Sequence, residues 1–341
     1  MALQASGQIK YSEIIAEFGT PNSGGLGEFR LSENVGTLTN LPLDTGVPQS
    51  GQIKFSDFYS KRLNQVVDLY SIGNSTTRQN AKDRWNNGNV HIVGSTKTGK
   101  TQPPDTVEDR VIINVNATIS SVKGTQTHCA LRTGNWDTNT TLEIEIGTSG
   151  KLYGSGGDGG SGGSANETAG TDGQTGSSAL GIQYPCTVNN LGVIQSGYGG
   201  GGGGGGNTRT TGGGKKSGAT TNGSSGGGGG GGAGLPAGAG GGVQTPLAVG
   251  GGSAGSGGAA GSLSGQSPGG AGGSEAGDGG NSSLVNNTAT KAFDGGQPSG
   301  AAAGGTGGNN GFAIITNQGS APSVTGGGSI TGRTITSTNP T

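Results

Sequence analysis

The chain has 341 residues, of which 82 are glycine, and only 27% are hydrophobic. A formal net charge of -1 gives no electrostatic reason to bind nucleic acid or an anionic membrane. No apolar run approaches the roughly 18 residues of a membrane-spanning helix, and the Met1 end lacks the basic and apolar stretches of a secretory signal.

Residues 1–62 carry an internal repeat. Ser6-Gly7-Gln8-Ile9-Lys10-Tyr11-Ser12-Glu13 recurs as Ser50-Gly51-Gln52-Ile53-Lys54-Phe55-Ser56-Asp57. Isoleucine and an aromatic two apart suit a strand with one buried face. Ser followed by Glu or Asp then suits a helix start, with Ile14, Ile15 and Phe18, or Phe58 and Tyr59, behind it. About sixty residues with so few large apolar side chains are marginal alone. The segment therefore reads as a small α/β docking module completed by another chain rather than a self-contained two-unit fold. Ile9, Tyr11, Ile14, Ile53, Phe55, Phe58 and Tyr59 are its expected attachment residues.

Residues 63–153 read as a β-rich connector. Val90-His91-Ile92-Val93, Val111 to Ile119 and Leu142 to Ile146 are short β-branched runs, separated by turn residues such as Asn87-Gly88, Gly134-Asn135 and Ser149-Gly150. No helix is expected beyond the first seventy or so residues.

Residues 154–341 hold most of the glycine: 61 of the 82 lie between Gly154 and Gly311, with unbroken runs at Gly199 to Gly206 and Gly226 to Gly232. Such a stretch is either disordered or packed backbone against backbone. Strand-like segments border it at Leu142 to Tyr153, at Cys186 to Ile194 and at Phe312 to Gly319, each with an alternating apolar pattern and a polar turn. These caps favour an ordered solid. The conformation that suits polyglycine is the extended left-handed helix with three residues per turn, whose N–H and C=O groups point outward to neighbouring helices. Ordering a residue costs about 1–2 kcal/mol, a net hydrogen bond returns about 0.5–1.5, and Cα–H···O contacts add about 0.5–1. A bundle holds only if nearly every backbone group is satisfied. Collagen is excluded by scarce proline and the absence of a Gly-X-Y period. The fold class is then mainly β and irregular, with a polyglycine-II bundle capped by strands. The segments between glycine runs become variable loops on a rigid scaffold: Asn207 through Ser225, Leu235-Pro236, Val243 to Val249, Leu263 to Pro268, and Asn281 to Phe293.

Several motifs tempt a chemical reading. Gly94-Ser95-Thr96-Lys97-Thr98-Gly99-Lys100-Thr101 fits the phosphate-loop pattern, but Pro103-Pro104 disfavours the helix such a loop needs, and a hairpin loop accounts for it better. His91, His128, Cys129 and Cys186 lack metal-ligand spacing, and the two thiols are expected to be free. Asp158, Asp172 and Asp278 lack the nonapeptide period of calcium repeats. Glu143 and Glu145 share one strand face, expected to be solvated. No catalytic residue, metal or cofactor is expected.

Two features are similar to a known group. The unit Ser50 to Tyr59 resembles a short motif of tailed-bacteriophage virion proteins, found near their N-termini, and the glycine field with interleaved variable segments resembles the receptor-recognition adhesins of T-even-type phages. The resemblance implies a virion protein of the tail or tail fibre, made in the host cytoplasm. It also implies polyglycine-II helices with loops that bind a host outer-surface protein or glycan, and an N-terminal module held by other tail or fibre proteins. The Trp-rich attachment segment of the T-even adhesins is absent from this N-terminus. The loop residues expected to meet the receptor are Asn207, Thr208, Arg209, Lys215, Lys216 and Phe293. No nucleic-acid partner and no membrane insertion are expected. The rival readings are a purely structural virion part, such as a fibre connector or decoration protein, and more remotely an ice-binding protein.

Overall fold

The computed structural model describes residues 3–19, 24–30, 32–35, 38–42, 47–48, 50–61, 64–68, 78–86, 90–92, 110–136, 140–163, 169–204, 207–211, 220–224, 228–242, 298–301 and 305–341. The chain is mainly β, with few helices. Sheets of six, four and five strands form three faces around one shared core. The chain visits the faces in rotation. Arg110–Val115 lies on the first face, Thr118–Ser120 on the second and Cys129–Arg132 on the third. The next turn is Thr141–Ile146, Lys151–Tyr153 and Ser178–Ile182, and the one after is Cys186–Asn190, Val193–Gln195 and Phe312–Thr316. Ser323–Thr325, Ser329–Thr331 and Arg333–Ile335 form the last turn.

All pairings between these turns are parallel. Asn64–Asp68 and Gln79–Asn80 extend the first and third faces in the same sense, and Val90–Ile92 adds an antiparallel edge to the first.

Register explains why strands this short hold. Parallel stacking in register puts like residues above one another, so aliphatic side chains run as ladders through the prism. Ile113, Ile144, Val188 and Val324 align on the first face. Ile119, Leu152, Ile194 and Ile330 align on the second, and Leu131, Leu180 and Ile314 on the third. All but the last-turn residues are buried, and burying each such side chain contributes about 1.5–3 kcal/mol. The corners are stitched as well. Gly147 N–H donates to Val115 O at 2.9 Å, Leu191 N–H to Ile146 O at 2.8 Å and Val193 N–H to Gly150 O at 3.0 Å. A Cβ at Gly192 would stand 2.0 Å from Gly150 O, so this corner admits only glycine.

A helix at Ala81–Asn86 places Ala81 and Trp85 in this core, where Trp85 meets Trp136 edge to face at 5.6 Å. It lies beyond the stretch expected to hold helix: six residues carry too little periodicity to be read from sequence, and the Trp85 contact fixes them. The outward face of the first sheet is not simply solvated. Arg110 binds Glu143 through two hydrogen bonds of 2.9 and 2.8 Å, and Asn189 Nδ2 donates to Glu145 at 2.7 Å. Burial raises the Glu145 pKa, and the Asn189 hydrogen bond opposes that rise.

The N-terminal residues pack onto this outward surface. Leu3, Ile9, Ile14, Phe18, Phe29, Val47 and Phe58 form a second core that closes on Ile112 of the first face. Phe18, Phe29 and Phe58 stack pairwise with centroids 5.6 to 5.9 Å apart. This corrects the expectation that another chain completes the core, since the prism completes it. The repeats also open differently from the expected strands. Tyr11 is the first residue of the helix Tyr11–Phe18, and Phe55 begins the 3-10 turn Phe55–Phe58. Lys10 and Lys54 are the N-caps, two residues ahead of the expected serines, because the Glu13 and Asp57 carboxylates each accept the capping residue's N–H at 2.7 Å. Ser32–Val35 and Leu38–Pro42 add an antiparallel hairpin.

The glycine segments do not follow the strands in sequence as a separate tail. They are excursions between the second and third faces, one joining Lys151–Tyr153 to Ser178–Ile182 and the other joining Val193–Gln195 to Phe312–Thr316. Residues 312–335 return to the sheets that residues 64–153 begin.

Candidate receptor-binding end of the glycine bundle

Six glycine-rich runs leave or return to the prism: 154–163, 169–177, 196–204, 228–234, 237–242 and 305–311. They bond to one another with a repeat of three residues. Gly157, Gly160 and Gly163 donate to Tyr198, Gly201 and Gly204, at 2.8 Å in each case. Gly156, Gly159 and Gly162 of the same run turn to Pro236, Ala239 and Gly242, at 2.9 to 3.0 Å. Gly200 and Gly203 donate to Gln174 and Thr171, while Gly308 and Gly305 donate back to Gly200 and Gly203. Successive residues of one run thus serve different neighbours, as outward-pointing groups on a threefold helix would.

The order of these bonds gives each run a direction. Runs 154–163, 196–204 and 237–242 travel together, and 169–177, 228–234 and 305–311 run against them.

Backbone contact dictates where glycine is needed. A Cβ at Gly203 would stand 1.9 Å from Ser161 O, and one at Gly200 2.1 Å from Asp158 O. The run 196–204 has neighbours on all sides, so its glycine is continuous from Gly199. In the runs 154–163 and 169–177 glycine stands where a neighbouring backbone approaches, and other residues fill the remaining positions. In 154–163 the other residues are Ser155, Asp158 and Ser161, and in 169–177 glycine stands at Gly170, Gly173 and Gly176. The outward side chains bind the bundle together. Asp158 meets Lys123 Nζ at 2.5 Å and accepts the Ala239 N–H at 2.6 Å. Asp172 accepts from the N–H and hydroxyl of Thr306 at 2.7 and 2.8 Å, which holds its pKa below the ordinary aspartate value.

Direction also sorts the connections. The prism end of the bundle carries the reversal Gly234-Leu235-Pro236, where Leu235 N–H donates to Gly154 O at 2.9 Å. The expected loop at Leu235-Pro236 therefore lies beside the prism. At the opposite end the described runs stop at 163, 204 and 242 and resume at 169, 228 and 305, so the chain inserts 164–168, 205–227 and 243–304 between them. Two of these are joined by a small antiparallel sheet in which Asn207–Thr211 is central, flanked by Thr220–Ser224 and Pro298–Ala301. Asn207, Thr208 and Arg209 accordingly sit on a paired strand, not on a free loop. Asn207 stands opposite Ser224 and Ala301, and Arg209 opposite Asn222 and Pro298. Threonine-rich alternation through Thr208, Thr210 and Thr211 with Thr220 and Thr221 is the sequence signal for this hairpin.

Lys215, Lys216 and Phe293 lie outside the described residues, as do the Gly94–Thr101 motif, Asp278 and the expected loops at Val243 to Val249, Leu263 to Pro268 and Asn281 to Phe293. The expected attachment residues are described. Ile9, Ile14 and Phe58 are buried in the module's own core, Tyr11, Ile53 and Tyr59 are partly buried against it, and Phe55 is 41% exposed. Cys129 and Cys186 are unpaired, and burial pushes both thiols up to about 12. Among the described residues no group of three or more His, Cys, Asp or Glu side chains could hold a metal ion. No helix among them is long and apolar enough to cross a membrane.

Residues 85–335 match the family model described as phage tail fibre adhesin Gp38. Among solved structures, the chain is similar to the crystal structure of the gp37-gp38 adhesin tip complex of the bacteriophage S16 long tail fiber. That similarity has 20% identity and a TM-score of 0.38, over 98% of this chain and 99% of that one. No curated protein matches.

Proposed function

We propose, given that this chain belongs to the phage tail fibre adhesin Gp38 family, that the end of the glycine bundle remote from the prism is the surface that meets the host. A tail fibre adhesin works by binding a receptor on the host cell. The observation that carries this assignment is that the runs stop at 163, 204 and 242 and resume at 169, 228 and 305 at one common end, while the short reversal at 234–236 faces the prism.

The runs are polyglycine-II helices in this reading, supported by their three-residue bonding repeat. Eight to ten residues at about 3.1 Å each carry the recognition surface roughly 25–30 Å from the prism. Asn207, Thr208, Arg209, Lys215, Lys216 and Phe293 supply the receptor contacts, the first three from the central strand of the small sheet. The receptor is a host outer-surface protein or glycan. Residues 1–62 dock on the tail fibre. The connector extends beyond 63–153 to take in the returning strands of 312–335, so the display unit is the set of excursions within 154–311 rather than all of 154–341.

The test is an exchange of residues 205–227 and 243–304 for those of an adhesin with a different host range, leaving every glycine run intact. Adsorption should follow the exchanged segments. Adsorption that stays with the original host would refute the assignment.

A further inference from the structure

The two repeats of the N-terminal module are the same device built twice. Gly7 and Gly51 both have positive φ, at 95° and 76°. Lys10 and Lys54 have nearly the same extended backbone, and each N–H is held at 2.7 Å by the carboxylate three residues on. The residues four places beyond each lysine, Ile14 and Phe58, are both fully buried. At the matching aromatic position the copies part company.

In the first copy Tyr11 is partly buried. Phe29, from the short helix Leu26–Arg30, meets its ring edge to face at 6.4 Å and 72°. The Tyr11 hydroxyl donates to Gly24 O at 2.7 Å. A turn bearing one aromatic side chain and the accepting Gly24 carbonyl thus packs against the ring. In the second copy the equivalent Phe55 is 41% exposed, with Gln52, Lys54 and Ser56 exposed around it. No described segment plays the part of 24–30 there. A large apolar ring left open at a position whose twin is capped is a seat with its occupant's shape already drawn.

We propose that Phe55 is the docking seat for the tail fibre subunit, and that the fibre places on it a turn carrying an aromatic or large apolar side chain beside an unpaired backbone carbonyl, as 24–30 does on Tyr11. This rests on the reading that residues 1–62 dock on the fibre, and it names the face and the chemistry of the partner. Edge-to-face aromatic pairing favours such a contact beyond the area it buries, and a single buried aromatic anchor commonly dominates an interface.

The test uses the full-length adhesin added to phage particles that carry fibres but lack it, with bound adhesin titrated for each variant. Phe55→Ser should weaken binding tenfold or more without lowering the melting temperature, because the ring is exposed in the free protein. Phe55→Tyr should bind at least as well as the natural chain, since it restores the hydroxyl that Tyr11 uses on a carbonyl. Lys10→Glu, on the first copy, should bind normally. A Phe55→Ser chain that binds normally while Lys10→Glu is released overturns the seat but keeps docking by this module. If neither variant changes binding, the docking reading falls as well. A melting temperature that drops with Phe55→Ser overturns the proposal from the other side, because the ring would then serve the module's own fold.

Discussion

Replacing Gly203 by alanine is the most direct test of backbone packing as the source of order. The new Cβ would lie 1.9 Å from Ser161 O, 2.4 Å from Ser161 C and 2.9 Å from Gly160 O. No side chain is available to yield, so the runs 196–204 and 154–163 must separate by about an ångström or more, judging from an ordinary carbon–oxygen contact. Two hydrogen bonds of Gly203 are then exposed to strain: its N–H to Thr171 O at 2.9 Å and its carbonyl to Gly305 N–H at 2.7 Å. Losing both costs about 1–3 kcal/mol, overpacking adds about 1–3, and the stiffer unfolded chain returns about 0.4–1. The net expectation is a loss of about 1–5.6 kcal/mol. Gly242 is the matched control, because a Cβ there meets nothing nearer than Ser161 Oγ at 3.9 Å. Gly242→Ala should be neutral or stabilising by up to about 1 kcal/mol. Thermal unfolding read together with amide exchange across 197–204 distinguishes the two. Equal effects from the two substitutions would refute close packing of the runs.

Ile144→Ala, at the centre of the first-face ladder with no exposed surface, should cost about 2–5 kcal/mol by denaturant melts. Glu145→Gln removes a carboxylate whose pKa burial has raised while keeping an acceptor for Asn189. A raised folded pKa contributes stability at acidic pH that is lost as pH rises through it, so Glu145→Gln should raise the melting temperature at pH 7 and the gain should vanish on acidification. Asp172 has the opposite sign, since its two bonds from Thr306 depress its pKa. Its contribution is present above the unfolded aspartate value and lost as pH falls through the folded one, so exchange protection at Gly305 and Gly308 should weaken at low pH, an effect absent in Asp172→Asn. Cys129 and Cys186, with thiols near 12, should resist a thiol-specific reagent at pH 8 and react promptly after unfolding.

Much of the scaffold can be read in the chain because backbone packing leaves a compositional trace. The strands at Leu142 to Ile146, Cys186 to Asn190 and Phe312 to Thr316 follow from β-branched alternation. Their stacking does not follow, because partners such as Val188 and Val324 are separated by the longer of the two glycine excursions. Parallel pairing over such distances has no local signal. The three-residue spacing of Ser155, Asp158 and Ser161, and of Gly170, Gly173 and Gly176, is a signal that the absence of a collagen repeat obscures. It marks peripheral runs, whereas unbroken glycine marks the buried runs 196–204 and 228–234. The expected attachment residues illustrate the opposite limit. Apolar residues such as Ile14 and Phe58 have the same pattern whether a partner or the prism covers them, and Ile112 decides in favour of the prism.

The excursion architecture has a mechanical consequence. Run 154–163 leaves the second face and 169–177 re-enters the third, and 196–204 and 305–311 do the same around the inner pair 228–234 and 237–242, so a pull along the bundle reaches the prism through four runs. The hydrogen bonds between runs lie across that pull and are loaded in shear, many at once, instead of opening one after another from a free end. Polyglycine, the least cohesive of sequences residue by residue, is thereby arranged as a cable whose strands share tension, which suits an adhesin.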